Sequence, residues 1–143
     1  MNLEKANELV GTYKEYLNKE ITVSRLANPA WQEIKTPFLL NNRDLISISV
    51  SEWGGCISLS DDGVVLNEME LAGIDTDDDS DKIINEILLG FGVKIDTVSD
   101  ALNGTFNSQL LKTCTPETFP QAFHEFIQCI LALDALSVVN RLK

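Results

Sequence analysis

The window DTDDDSDKIINE, Asp75 to Glu86, sets an acid at positions 1, 3, 5, 7 and 12 of twelve residues. That spacing matches the EF-hand calcium loop, in which carboxylates at 1, 3 and 5, a backbone carbonyl at 7 and a bidentate Glu at 12 surround the ion. Asp75, Asp77, Asp79 and Glu86 are therefore the candidate metal ligands. Two positions argue against a closed loop. The sharp turn at position 6 calls for glycine and finds Ser80, and position 8, normally apolar, is Lys82. The same residues make a capped helix start, with Asp79 or Ser80 accepting from first-turn N–H groups and the neighbouring acids complementing the helix dipole. A helix that begins near Asp81 puts Glu86 on its second turn, out of reach of the other ligands. The pattern favours the helix.

A second set of acids belongs to strands. Asp61 and Asp62 follow one strand, Asp44 opens the preceding one, and Glu33 with Lys35 lies one strand earlier. Carboxylates on neighbouring strands hold Mg²⁺ in metal-dependent hydrolases and nucleases, where a lysine often assists. Glu33, Lys35, Asp44, Asp61 and Asp62 are the candidate catalytic group on this reading. The competing reading is a turn, for which Asp-Asp-Gly at 61 to 63 is well suited. Nucleophilic catalysis has little to work with. His124 is the only histidine and lies five residues before Cys129, on a different helix face, and there is no G-x-S-x-G elbow. Gly90-x-Gly92 ends a helix instead of opening one, so it does not cradle phosphate. No cofactor is implied.

The elements that position these groups follow from periodicity. Leu3, Ala6, Leu9, Val10, Tyr13, Tyr16 and Leu17 predict an amphipathic helix ending near Asn18. "EIKTPFLL", "LISISVSEW" and "CISLS" predict strands, the last two joined by a Gly54-Gly55 hairpin. In the middle strand Ile46, Ile48 and Val50 alternate with Ser47, Ser49 and Ser51, so one face is apolar and the other hydroxyl-lined. Pro37 suits a strand end or edge. "VVLNEMELAGI" predicts a short helix stopped by Gly73, and Ile83, Ile84, Ile87, Leu88 and Phe91 mark a second that ends at Gly90-Phe91-Gly92. "VKID" and "SQLLKTC" read as a final strand pair across the polar SDALNGTFN loop. The last helix is expected to take Thr115 as N-cap, Pro116 at N1 and Glu117 in its first turn.

Together these predict an α+β fold. An antiparallel β-meander packs against N- and C-terminal helices, and two short helices are inserted before the last strand pair. The 143 residues suit a single globular domain spanning 1–143. The apolar runs are too short or too interrupted for a bilayer, and "MNLEKANELV" lacks the plan of a secretory signal, so a cytoplasmic setting without membrane contact is expected. Cys56, Cys114 and Cys129 form no C-x-x-C pair and are read as reduced.

Charge is the strongest compositional feature. The formal net charge is −11, and residues 61–143 carry 15 acids against 5 bases, whereas residues 1–60 carry 7 against 6. From Asp61 to Asp81 there are nine acids and no Lys or Arg. Such a stretch repels nucleic acid and steers toward a basic protein. Its acids, Asp61, Asp62, Glu68, Glu70, Asp75, Asp77, Asp78, Asp79 and Asp81, are the candidate binding residues. Solubility alone is the competing explanation of so much charge. Trp31 and Trp53 flank the first strands and are candidate partner anchors, with core packing as the alternative. A homodimer is compatible with the sequence.

Five blocks run in order through the chain: T-P-F at 36 to 38, S-D-D-G at 60 to 63, A-G-I at 72 to 74, F-G-V at 91 to 93 and "TPETFPQ" at 115 to 121. In these the chain resembles, over nearly its whole length, the family catalogued as domain of unknown function 1828. The resemblance implies a bacterial or phage source and implies no activity. Two departures stand out: the S-D-D-G block usually begins with Thr, and the run from Asp75 to Asp81 is normally less acidic. The reading that follows is a non-enzymatic protein-binding or inhibitory module acting through its acidic face. In a phage or mobile-element setting it would present DNA-like charge to a nucleic-acid-binding protein. The alternative is a divalent-metal hydrolase or nuclease on the strand-borne carboxylates.

Overall fold

The computed structural model describes residues 1–74, 82–100 and 105–142. Helix α1 spans Leu3–Glu20, and strands β1 (Thr22–Arg25), β2 (Gln32–Leu39), β3 (Leu45–Trp53) and β4 (Cys56–Ser60) follow as an antiparallel meander. Helices α2 (Val64–Leu71) and α3 (Lys82–Phe91) then carry the chain across to β5 (Lys94–Asp100), which turns back through β6 (Thr105–Cys114) into α4 (Phe119–Arg141). The six strands form one sheet in the order β1-β2-β3-β4-β6-β5, with every neighbouring pair antiparallel. The predicted α+β meander with flanking helices and two inserted helices is the observed fold.

Sheet registry follows from alternation. Ile34 pairs with Ile48, Val50 with Leu59 and Ile95 with Leu110, which gives the sheet an apolar face. Against it α2, α3 and α4 deliver Val65, Leu66, Met69, Ile84, Leu88, Phe126, Ile130 and Leu133, all buried with Ile48, Leu59 and Leu110. By length and composition α4 is apolar enough to cross a membrane. Its Ala122, Phe126, Ile127, Cys129, Ile130 and Leu133 are spent on this core.

Two expectations need correction. The helical cover is built by α2, α3 and α4, because these fill the apolar surface over β4 and β6, whereas α1 buries none of its residues and lies against β2. The last helix begins at Phe119, not after Thr115. The Thr115 and Thr118 backbone N–H groups each donate to the other residue's hydroxyl, closing a separate turn, and Pro120 then occupies the first helical turn.

The junctions show how this chain changes direction. Gly54 and Gly55 both have positive φ, as a two-residue hairpin between Trp53 and Cys56 requires. At Pro37 the β2–β3 register shifts, and the buried Thr36 hydroxyl donates to the Ile46 carbonyl, supplying a side-chain bond where the ladder is interrupted. Helix α2 stops in a Schellman arrangement: Gly73 is left-handed and Ile74 N donates to Met69 O, while Asn140 Nδ2 donates to the Ala72 carbonyl. Helix α3 stops the same way at Gly92, with Val93 N on Leu88 O and the Lys112 ammonium on the Phe91 carbonyl. The β2–β3 turn is tied to α4 by Asp134, whose two carboxylate oxygens accept from Asn41 N and Asn41 Nδ2.

Two buried hydroxyls test this account by their opposite circumstances. Thr36 is bonded to Ile46 O, whereas Ser137 in α4 is fully buried and its Oγ has no partner among the described residues. Thr36→Val is expected to cost about 1–3 kcal/mol, because it strands a buried carbonyl at similar volume. Ser137→Ala, which removes an unpaired buried hydroxyl, is expected to be neutral or to stabilise by about 1 kcal/mol. Urea unfolding midpoints at unchanged m-value measure both.

Candidate functional site

The densest polar arrangement lies where β4 turns into α2, at Ser60-Asp61-Asp62-Gly63. Asp61 is buried, and its carboxylate accepts three backbone bonds of 2.9 Å: Gly63 N and Leu110 N on Oδ1, and Val65 N on Oδ2. The ladder between β4 and β6 ends at Ser60 opposite Leu111, so the Asp61 carboxylate takes the Leu110 donor just past that end. The same group satisfies a first-turn donor of α2 and places negative charge at the positive end of its dipole. Burial pushes the Asp61 carboxyl above its ordinary range, against the backbone donors of Gly63, Leu110 and Val65 that pull it down.

The next two residues are both left-handed, Asp62 at φ 57° and Gly63 at φ 79°. Aspartate tolerates this region better than most residues. Glycine is required at 63 for a second reason, since a Cβ there would lie 2.7 Å from the Ser108 carbonyl oxygen. This double turn swings Asp62 to the sheet face opposite the helices. There its carboxylate accepts from Ser49 Oγ, and its backbone N donates to Ser60 Oγ. Ser60 Oγ donates to Gln109 Oε1, and Gln109 Nε2 reaches Asp96 at 3.3 Å. A hydroxyl and amide network thus crosses β3, β4, β6 and β5. Ser49 and Ser60 are almost completely buried within it, so these two hydroxyls are satisfied internally.

The five strand-associated candidates separate. Glu33 pairs with Ser49 and Lys35 with Ser47, which puts both on the open face with Asp62. Asp44 sits in the β2–β3 turn, exposed, accepting from Asn42 Nδ2 at 3.0 Å. Asp61 is committed to backbone groups. Glu33 and Asp62 are therefore brought to either side of Ser49, and Asp44 and Asp61 are not brought to them. Among the described residues no group of three or more His, Cys, Asp and Glu side chains is placed to hold a metal ion. A half-open cleft of about 370 Å³ lies between the β2–β3 turn and the start of α2, walled by Leu40, Leu45, Val64, Val65 and Ile130. Asp44 and Asp61 contribute its carboxylates, and both are already engaged by neighbours.

Of the acidic binding set, Asp62 and Glu70 are exposed and Glu68 is half-buried. Asp61 does not belong with them, because its three backbone donors hold it inside. Asp75, Asp77, Asp78, Asp79 and Asp81 lie outside the described residues. Glu86 is exposed on the second turn of α3, and the capping residues Asp79 and Ser80 lie outside the described residues. His124 is exposed on α4, whereas Cys129 is buried and its thiol is pushed up to about 12, so they form no nucleophile pair. Trp53 stands exposed beside the hairpin and Trp31 is half-buried. Sequence reasoning missed Ser49, Ser60, Gln109 and Lys112. The serine alternation hinted at the first two, and nothing local marked the others.

Adjacent substitutions separate the two aspartates of the motif. Asp61→Asn replaces one of two accepting oxygens by a donor facing N–H groups and is expected to cost about 2–4 kcal/mol. Asp62→Asn keeps an acceptor for Ser49 and tolerates the left-handed backbone, so its expected cost is below about 1 kcal/mol. Denaturant titration of the pair checks this difference. A pH effect belongs to α4. Glu125 is held below the ordinary 4.5 by its bond to Lys112, 3.2 Å away, and by Gln121. A carboxyl lowered in the folded state contributes stability that is present above 4.5 and lost as pH falls through the lowered value. The stability difference between wild type and Glu125→Gln should therefore shrink on acidification, measured by thermal unfolding across that range.

Comparison with known proteins places these junctions in a family. Neither the curated proteins nor the solved structures compared with the chain give a match. The family described as Domain of unknown function DUF1828 matches residues 36–133, a span from the Thr36 bulge through the Asp61 junction to Leu133 in the core of α4. The chain belongs to the DUF1828 family.

Proposed function

We propose that this chain is a non-enzymatic, cytoplasmic protein-binding module that engages a basic protein through its acidic shoulder. The observation that carries the reading is the stretch from residue 61 to 81, with nine acids and no base. Within it Asp62 and Glu70 are exposed and Glu68 is half-buried. Only Asp61 among the described acids of the stretch is withdrawn into the fold. A surface of this kind repels phosphate backbones and attracts the cationic face of a nucleic-acid-binding protein. In a phage or mobile element, occupying that face would inhibit the partner by presenting charge where DNA would lie.

The hydrolase reading has one observation in its favour, the approach of Glu33 and Asp62 to either side of Ser49 on the open face. Two carboxylates and Lys35 make a thin ligand set, and the hydroxyl between them is already used.

Affinity capture at low and high salt tests the proposal. The expected result is a basic partner whose binding weakens steeply with salt and is displaced by duplex DNA. Neutralising Glu68, Glu70, Asp77, Asp78 and Asp79 together should weaken that binding by at least about tenfold. Binding that ignores both salt and these substitutions rejects the acidic shoulder. Tight Mg²⁺ or Mn²⁺ binding by calorimetry, lost in Glu33→Gln and in Asp62→Asn, would establish the hydrolase instead.

A further inference from the structure

Helix α1 is the one long element that the core does not use. It buries no residue, yet Leu3, Leu9, Val10, Tyr13 and Tyr16 are 78, 45, 50, 53 and 50% exposed along one stripe. An 18-residue helix with glycine inside it is marginal in water without packing, and Gly11 sits mid-helix with open space around it. Such a helix keeps its shape best when its apolar stripe is covered.

The spacing of the stripe indicates what covers it. Leu3, Val10 and Leu17 recur every seven residues with Ala6 and Tyr13 between them, which is the a/d seam of a helix pair. Leu9 and Tyr16 lie together on one flank, and Lys14 and Asn7 on the other. In a parallel pair the two unlike flanks would meet, setting Leu9 and Tyr16 against Lys14 and Asn7. An antiparallel pair sets like against like, so Leu9 and Tyr16 meet the partner's apolar flank. It also places Ala6 with Leu17 and Val10 with Tyr13 across the seam, leaves Glu20 beside Leu3 at its open ends, and opposes the helix dipoles.

Charge and area agree with a second copy of the same chain. The first 25 residues hold four acids and four bases, so α1 and β1 are neutral in a chain of net charge −11. Two copies can meet here without bringing net charge of one sign into the contact. The exposed stripe presents roughly 600 Å² of side chain per copy, or about 1,200 Å² for two, the lower bound of a specific interface before the flanking lysine stems are counted. We propose that α1 is a self-association element through which two copies of this chain pair antiparallel along the Leu3 to Leu17 seam. The proposal stands independently of the acidic-shoulder reading, although a dimer would present two shoulders to one partner.

Sedimentation equilibrium at micromolar concentration tests it. The expected mass is twice the 15.9 kDa of one chain. Val10→Asp with Tyr13→Asp should shift the protein to the single-chain mass, weakening association by at least about a hundredfold. Its core unfolding transition should persist, because α1 contributes no buried residue. Glu8→Gln, outside the seam, should leave the dimer intact. For orientation, Leu9→Cys and Tyr16→Cys chains, each also carrying Cys56→Ser, should on mixing form the mixed disulfide in preference to either homodisulfide. A wild-type chain at single-chain mass, or a dimer that survives the double aspartate variant, overturns the proposal. Predominant homodisulfides overturn the antiparallel arrangement.

Discussion

The Asp61 carboxylate ties the two layers of this protein together. Its oxygens take N–H groups from the α2 entry, at Gly63 and Val65, and from β6, at Leu110. Those donors come from segments on either side of the helical excursion, so one side chain fixes where α2 leaves the sheet and where β6 returns to it. Burying a carboxylate is costly, and the cost is offset only when its lone pairs are filled. Here they are filled by backbone groups that would otherwise be orphans at a helix start and beyond a ladder end. The raised carboxyl of Asp61 reflects that balance, with burial outweighing the donors.

The remaining signature blocks act in the same way. T-P-F lets a bonded hydroxyl span the Pro37 irregularity, A-G-I and F-G-V are left-handed helix stops, and TPETFPQ contains the threonine turn that feeds α4. Each block solves a backbone problem at a change of direction. Side chains aimed at a substrate would instead converge on one cavity. The blocks are spread along the whole matched segment, so they describe the scaffold of the fold and carry no statement of its chemistry.

Much of the fold was legible because it depends on local pattern. The Gly54-Gly55 hairpin, the isoleucine stripe of α3 and the alternation of β3 each follow from residues within one element. What failed depended on distant partners. Asp61 reads as a surface acid because the Leu110 amide that draws it inside lies 49 positions away. Ser49 reads only as part of a hydroxyl-lined face because its partner Asp62 lies 13 positions on, in a left-handed turn. The start of α4 was displaced because Thr115 and Thr118 are equally suitable caps by type, and their reciprocal bonds decide between them. Amphipathicity in α1 shows that a face needs cover, and it does not say whether this chain supplies that cover.

The separation of charge along the chain follows from a constraint that acts on any strongly acidic protein with more than one contact surface. A field of −11 spread evenly would oppose every approach of a second copy. At physiological salt the screening length is about 8 Å, so repulsion between like surfaces fades once they are held a few residues apart. The acids are concentrated in the 61–81 stretch, and residues 1–25 are neutral. The segment that carries α1, with four acids balanced by four bases over residues 1–25, then adds no net repulsion to the approach of its like. Asp61 is the link between these demands. By engaging backbone donors it holds the start of α2 to β6, and so positions both the turn that carries Asp62 and the helix that carries Glu68 and Glu70.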